Sequence, residues 1–385
     1  MFGNGERYIN FMSNELRYPK VAIIYLSYNP RPYIDRVIKS LEKITYPKDR
    51  LEFIVVDNPH PEFGGAGQFL KDKLLPLIGK ELPKVTIIEN TENLGFVKGN
   101  NIGIEYALQN NFDYVFLHNQ DGFMGLDMLE RMINFFKSQP NAGVVQPMIL
   151  LYPEINKINT SGNKFHYLGF GYCGDYKMEV SNFTPPSSGL SSHSIKISYA
   201  SGAAMMIRAS LLKKYGALDK TIAMYHEDLE FCLRLRLNGF DICLAPSARF
   251  YHEYEYSRNK NKYYLMERNR YMVLLMYYKI PTLILFLPMF VITEIGILSM
   301  SVVKGWLRQK LQAYVWWFKL ANWQTIISKR KEIQKNRVIT DKVFLATAVS
   351  EIKFDDSEIN NPILKYIGNP LMKYYLWLVK LVIFW

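Results

Sequence analysis

Along the first 150 residues, short apolar runs alternate with segments of helical spacing. Residues 21–27 (V-A-I-I-Y-L-S) form a continuous apolar run ending in Tyr28-Asn29-Pro30, and 32–44 follow with helical spacing. A second run, 51–56 (L-E-F-I-V-V), ends at Asp57-Asn58; glycine-rich 64–67 leads into a helical segment, and 84–89 is a third run. Residues 93–103 form a polar, glycine-punctuated loop that opens a helix reaching Asn110. Then 114–117 reads as a fourth strand, 128–137 as a helix and 143–150 as a fifth strand. Apolar strands alternating with helices predict a parallel sheet covered on both faces. Ligands of such sheets bind at the carboxyl ends of the strands. Asn29, Asp57, Asn93 and Asp121 all fall there.

The pattern changes after residue 150. Residues 151–200 are rich in Tyr, Gly, Ser and Asn with little periodicity, which predicts a substrate-facing loop region rather than core. Regularity returns at 198–208 (S-Y-A-S-G-A-A-M-M-I-R), followed by a helix at 225–238 and a short strand pair around 240–252. Residues 263–278 are helical and aromatic-rich, 280–303 are apolar with Glu294 as the only charge, and 304–337 are basic and amphipathic. An apolar stretch, 374–385, ends the sequence. The expected organisation is a polar N-terminal extension (1–19), an α/β unit (20–275) and a C-terminal basic and apolar helical region (276–385).

Charge sharpens this division. The 385 residues carry a formal net charge of +12, yet residues 1–256 hold 27 Lys and Arg against 27 Asp and Glu. Residues 257–385 therefore hold 20 basic against 8 acidic side chains, the whole excess. There the charges flank long apolar stretches rich in Trp and Tyr, which points to an anionic membrane surface. A nucleic-acid reader would carry its basic stripe on a polar module, so nucleic acid is not an expected partner. The three cysteines are isolated and no secretory signal opens the sequence, which fits a reducing, cytosol-facing environment.

Several stretches carry candidate chemistry. Asp57, at a strand end, could accept from a pyrimidine imide N–H or cap the next helix. The loop N-L-G-F-V-K-G-N-N-I-G (93–103) has glycines that let backbone approach a ligand, and a helix N-terminus that favours phosphate. A glycine-relaxed turn reads the same way. In A-M-Y-H-E-D-L-E-F-C-L-R-L-R-L-N-G (223–239), Asp228 shares a face with Phe231, Cys232 and Leu235. Glu230 and Arg234 form an i,i+4 pair on the opposite face, which reads as solvated. A carboxylate on the apolar face is a cap, a partner for a buried cation, or a base in a cleft. His252 ends R-F-Y-H (249–252) and reads alone as a core histidine or a nitrogen donor.

Taken together, residues 20–275 resemble the family-2 glycosyltransferases, inverting enzymes with the GT-A fold. The resemblance rests on V-A-I-I-Y-L-S-Y-N, I-V-V-D-N, N-L-G-F-V-K-G-N-N-I-G, F-L-H-N-Q-D, S-G-A-A-M-M-I-R, H-E-D-L-E-F-C-L-R-L-R-L-N-G and Y-Y-L-M-E-R-N-R in that order. Within the family it looks most like the rhamnosyltransferase and galactofuranosyltransferase-like branch. It implies a Rossmann-like, mostly parallel central sheet flanked by helices, followed by a C-terminal membrane-associating helical region.

The resemblance also implies roles. Ser27, Asn29 and Asp57 would hold the nucleotide of a UDP- or dTDP-type sugar donor. Asn93, Gly95, Asn100 and Asn119 would line its diphosphate and ribose side. Asp121, the last acid of the family's D-x-D element, and His252 would bind a divalent metal, Mn²⁺ or Mg²⁺. Ser201, Gly202 and Glu227 would border donor sugar and acceptor, and Asp228 would be the general base. Asn119 departs from the family at the first D-x-D position, removing one anionic ligand. The expected acceptor is a glycan or lipid-linked saccharide at the cytoplasmic face of the cell membrane, with oligomerisation left open. The alternative is a non-catalytic sugar-nucleotide-binding or membrane scaffold protein on the same fold. Residues 280–303 are long enough to span a bilayer, but Pro281, Pro288 and Glu294 weigh at least as much for an in-plane or re-entrant segment, or a helix pair buried in the protein.

Overall fold

A computed structural model describes residues 18–185, 195–254, 260–353 and 362–385. The expected N-terminal extension lies almost wholly outside these residues. Twelve strands are β1 (Val21–Ser27), β2 (Leu51–Asp57), β3 (Lys84–Glu89), β4 (Tyr114–Asn119), β5 (Gly122–Met124), β6 (Ala142–Leu151), β7 (Ile158–Thr160), β8 (Lys164–Phe165), β9 (Gly171–Tyr172), β10 (Ile195–Lys196), β11 (Ala204–Arg208) and β12 (Asp241–His252). The helices are α1 (Ile34–Lys43), α2 (Gly67–Leu74), α3 (Gly95–Gln109), α4 (Met128–Ser138), α5 (Ala209–Tyr215) and α6 (Glu227–Leu237). They continue as α7 (Asn261–Tyr277), α8 (Ile280–Val303), α9 (Leu307–Trp316), α10 (Leu320–Asn336), α11 (Asp341–Phe344) and α12 (Asn369–Val382).

One sheet runs in the order β10-β12-β6-β11-β4-β1-β2-β3. It is mixed: β1 pairs in parallel with β2 and β4, and β12 with β6, whereas β11 lies antiparallel between β4 and β6. The register pairs Ser27 with Asp57 and Leu26 with Asn119, so the polar ends of β1, β2 and β4 form one edge. Because β11 is reversed, its start at Ala204, opposite His118, reaches that edge too.

Every residue of β1 and β2 is buried, since apolar layers cover both faces. Ala22, Ile24, Leu26, Ile54 and Val56 face one layer; Val21, Ile23, Tyr25, Phe53 and Val55 face the other. The strand period of two is thus hidden inside an all-apolar run.

Gly99 and Gly103 face this sheet. A Cβ on Gly103 would sit 2.6 Å from the Ile24 side chain, and one on Gly99 would sit 2.5 Å from Leu26. These two glycines serve close packing of α3 on β1, not approach to a ligand. Gly95, at φ +73°, turns the chain into the helix.

Three further expectations change. The strand pair around 240–252 is one strand, β12, whose A-P-S-A stretch falls in a register shift against β6 between Ala245 and Arg249. A bulge is where proline, lacking a ladder N–H, is tolerated inside a strand. Residues 151–200 are not only loop: Phe165, Tyr167 and Leu168 are fully buried, with Tyr167 edge-on to Phe286 of α8. The segment links the sheet to the C-terminal helices, which share its core through Phe286, Met289, Phe344 and Leu376.

The Glu230–Arg234 pair is the third. It is present, with Arg234 Nη2 3.0 Å from Glu230 Oε2, but Glu230 is only 1% exposed. Arg234 also donates to the carbonyls of Tyr215 and Ala217, and the Tyr277 hydroxyl donates to Glu230. Helix α7 covers the face that spacing assigned to solvent, so α6 is apolar or paired all round.

Candidate active site

A cavity of about 410 Å³ opens at the polar edge of the sheet. Six residues named from the sequence line it: Asn119, Ser201, Gly202, Glu227, Asp228 and His252. They come from the end of β4, the turn before β11, the start of α6 and the end of β12.

The turn before β11 is fixed from both sides. Ser201 N–H donates to the buried Gln146 Oε1 at 2.8 Å, and Asn119 N–H donates to the Ala203 carbonyl at 3.0 Å. Asp228 Oδ2 accepts from Gly202 N–H at 3.0 Å, and Oδ1 accepts from Leu229 N–H at 2.7 Å. The carboxylate therefore satisfies one first-turn donor of its own helix and still faces the cavity. Burial raises its pKa, against the lowering effect of those backbone donors. Glu227 is pushed up as well, first by burial and then by the charge of Asp228. Its Oε2 is buried without a hydrogen-bond partner. Two adjacent buried carboxyls cannot both ionise cheaply, so ionising one favours the protonated form of the other.

The loop entering α6 is strained. Ala223, Tyr225 and His226 have φ of 53°, 60° and 71°, at a cost of about 1–3 kcal/mol each. Asn269 of α7, fully buried, holds it there. Its amide donates to the carbonyls of Ile222, Met224 and Tyr225 at 3.1, 2.9 and 2.6 Å. His226 Nε2 lies 3.1 Å from the Gly169 carbonyl, and burial lowers its pKa to about 4, keeping the ring neutral. Sequence reasoning assigned Asn269 no role, although it stands within Y-Y-L-M-E-R-N-R.

Asp121 and His252 meet at the same edge. His252 Nε2 is 3.0 Å from Asp121 Oδ1, and Nδ1 is 2.9 Å from Asn159 Oδ1. Burial raises the Asp121 carboxyl, but the adjacent His252 and hydrogen bonds from it, the backbone and Asn119 together hold it below the usual range. Among the described residues no group of three or more His, Cys, Asp or Glu converges on a metal position. The pair nonetheless fits one: an oxygen and a nitrogen 3.0 Å apart match adjacent ligands of an ion with bonds of about 2.1 Å. Other positions would fall to a bound diphosphate and water. Asn119 Nδ2 donates to Asp121 Oδ1 at 2.8 Å and lies 3.3 Å from His252 Nε2. In this arrangement the amide nitrogen of Asn119 faces the pair.

The remaining named residues lie at the ends of β1 and β2 and at the start of α3. Ser27 donates to Asp57 Oδ1 at 2.9 Å, and Ala66 N–H donates to Asp57 Oδ2 at 2.6 Å, so Asp57 anchors the loop leading into α2. Each carboxylate oxygen keeps a second lone pair. Asn93 Oδ1 accepts from Gly95 N–H at 2.8 Å at the exposed start of α3. Asn100 is turned inward, donating to the Phe96 carbonyl at 3.0 Å, and is buried. Gln120 was missed: its Oε1 accepts from the backbone N–H of both Tyr28 and Asn29 at 2.9 Å, tying the β1 turn to β4. Its place inside H-N-Q-D was the available signal.

Residues 19–273 match the family model described as "Glycosyltransferase like family 2". The low-salt glycan biosynthesis hexosyltransferase Agl10 of Haloferax volcanii is 28% identical over 195 residues, 48% of this chain and 58% of that protein. The dTDP-rhamnosyl transferase RfbF of Shigella flexneri is 22% identical over 233 residues, 60% of this chain and 68% of that protein. Among solved structures, GalNAc-T7 with UDP, GalNAc and Mn²⁺ has a TM-score of 0.51 at 13% identity, covering 68% of this chain and 49% of that one. The chain thus spans little more than half of Agl10 and about half of GalNAc-T7. The structural likeness establishes an α/β, Rossmann-like GT-A-type fold with a mixed sheet and flanking helices.

Proposed function

The chain belongs to glycosyltransferase-like family 2, and from that premise we propose that it moves a sugar, with inversion, from a UDP- or dTDP-type donor to a glycan or lipid-linked acceptor. The observation carrying this reading is the cavity where Asp228 and Glu227 stand with Asn119, His252 and the Ser201-Gly202 turn. The dTDP-rhamnosyl relative supports, within that class, a deoxyhexose donor bound to a pyrimidine nucleotide.

Asp228 accepts the proton of the acceptor hydroxyl as its oxygen bonds to the anomeric carbon and the bond to the nucleotide diphosphate breaks on the opposite face. Glu227, held protonated, offers a donor to a sugar oxygen beside it. Gly202 N–H keeps the base aimed across the cavity. Ser27, Asn29 and Asp57 bind the nucleoside end, with Asn93 and Gly95 at the start of α3 on the phosphate side. Asp121 and His252 would hold Mg²⁺ or Mn²⁺, which would supply positive charge to the departing diphosphate.

The protein works at the cytoplasmic face of a membrane, and α8 lies along its surface. Helix α8 is the one helix among the described residues long and apolar enough to cross a bilayer. Its Glu294 is bound in mid-helix by Arg270 and by Lys310 Nζ at 2.8 Å, both buried in the folded body. A spanning helix would carry that cluster into lipid; an in-plane helix does not.

The test is incubation of purified protein with UDP- and dTDP-sugars, Mn²⁺ and saccharide acceptors, following nucleotide release and the anomeric configuration of the product. Release with an inverted linkage is expected. Donor binding without release under every acceptor condition would favour the non-catalytic alternative.

A further inference from the structure

A second and larger cavity, about 930 Å³, lies between residues 164–178, the 348–353 segment and α12. Five lysines line it: Lys164, Lys177, Lys353, Lys373 and Lys380. Among the described residues, two acids join them, Asp175 and Glu351. Asp175 already accepts from the Ser161 hydroxyl, and Glu351 is 3.5 Å from Lys353. The described lining is therefore net basic, and its aromatic side chain from α12 is Trp377.

Its surroundings say which anion. Trp377 is half exposed, and Leu378, Leu381, Val382 and Phe384 continue an open apolar surface beside it. Helix α8 packs alongside, joined through Tyr375 hydroxyl to the Leu285 carbonyl and Trp385 Nε1 to Thr282 Oγ1. It adds Ile284, Leu287, Val291 and Ile295, each about half exposed or more. Apolar surface this extensive marks a membrane or partner contact, and basic residues beside it select an anionic interface.

The groove also reaches the chemistry. Tyr172, Cys173 and Lys353 line both this cavity and the one holding Asp228. Tyr172 hydroxyl donates to the Glu351 carbonyl at 2.7 Å, making a shared wall.

We propose that the groove receives the phosphate end of a lipid-linked saccharide acceptor, whose lipid lies along α8 and α12 and whose sugar extends past Tyr172 to Asp228. The proposal rests on the transferase reading, for which it names the acceptor class. A bound phosphate neutralises the lysines while the lipid stays in the membrane, so only the saccharide enters the catalytic cavity.

The experiment measures binding of the full chain to phosphatidylcholine vesicles containing farnesyl diphosphate, with farnesol vesicles and free inorganic diphosphate as controls. The variant is Lys164→Ala/Lys373→Ala/Lys380→Ala, with the triple Lys→Arg variant keeping charge. Farnesyl diphosphate should strengthen binding while farnesol does not. The alanine variant should lose on the order of a hundredfold of that affinity, and the arginine variant should keep most of it. Equal binding by wild type and alanine variant overturns the proposal. So does inorganic diphosphate competing as well as the lipid, which would mean a free-phosphate site. Donor binding is measured separately with Mn²⁺ and UDP- or dTDP-sugars. If that fails while diphosphate vesicles bind, the transferase reading falls, the acceptor role falls with it, and the groove stands as a lipid-phosphate site; the reverse result removes the groove alone.

Discussion

Asp121 Oδ1 and His252 Nε2 stand 3.0 Å apart although 131 positions separate them in the chain. The distance depends on β12 pairing with β5, which sets His252 opposite Gly122, the residue after Asp121. If the pair holds the metal, Asp121→Ala should make donor affinity insensitive to EDTA and lower it well over tenfold in Mn²⁺. Asn119→Ala removes only the orienting amide and should weaken Mn²⁺ affinity about tenfold. Calorimetric titration of Mn²⁺ and donor into each variant separates the cases. An Asn119→Ala loss as large as that of Asp121→Ala would make Asn119 a ligand.

Asp228→Asn should lower turnover by about 10²–10⁴-fold with donor affinity within a few-fold of wild type. The wild-type rate should also carry an acid limb. If Asp228 is the base, it works only when deprotonated, and burial raises its pKa. The rate should therefore fall with decreasing pH at a value above the ordinary carboxylate range. A pH–rate profile flat through that range, or turnover retained in Asp228→Asn, excludes the assignment.

Asn269 acts through the loop it holds. Asn269→Asp keeps the shape, removes both N–H donors and sets a carboxylate against the carbonyls of Ile222, Met224 and Tyr225. Their left-handed neighbours should relax, turning Asp228 away from Gly202. Turnover should drop at least tenfold, with the acid limb displaced and donor affinity kept. A variant that merely loses thermal stability, with its pH profile intact, would make Asn269 structural only.

Much of this was legible in the chain because the relevant signals were local. β1 to β4, with their polar ends, follow from apolar runs a few residues long, and α8 matches its expected 24 residues. What escaped depends on partners distant in sequence. Glu230 and Arg234 read as solvated because helical spacing knows nothing of α7. Gly99 and Gly103 read as ligand-facing because a glycine that clears a ligand and one that clears Ile24 look alike. Asn269 could not be ranked, since its worth lies in three carbonyls over forty residues away. In the same way, the bulge that keeps β12 whole needs β6 as its reference.

The cluster around Glu294 carries a stability prediction. Arg270 and Lys310 bind both Glu267 and Glu294, and the Tyr271 and Tyr314 hydroxyls donate to Glu294 at 2.6 and 2.8 Å. Two cations and two anions balance. Lys310→Met leaves one guanidinium for two buried carboxylates and should cost about 3–5 kcal/mol. The urea midpoint measures it, and Lys310→Met combined with Glu294→Gln should recover part of the loss. No recovery would mean that the packing of the lysine stem, rather than its charge, dominates.

Three buried histidines set the response of the whole fold to acid. Burial lowers His118 and His226 to about 4 and His166 to about 3. An unfolded histidine takes up its proton near 6.5. Between those values the unfolded chain binds protons that the folded chain refuses, so the histidine contribution to stability is full above about pH 6.5 and falls as pH drops toward 4. Glu227 works in the opposite sense. Its raised pKa lets the folded state keep a proton that the unfolded state has released, offsetting one histidine over the same window. Asp228, raised by burial as well, offsets a further part, so the unfolded chain's excess of protons comes from the histidines less these two acids. Urea unfolding at pH 7, 6 and 5 should give steadily lower midpoints. His118→Phe, set among the rings of Tyr25, Phe116 and Phe250, should flatten the slope by one proton's worth. Midpoints unchanged from pH 7 to 5 would mean that these rings are not held neutral by burial.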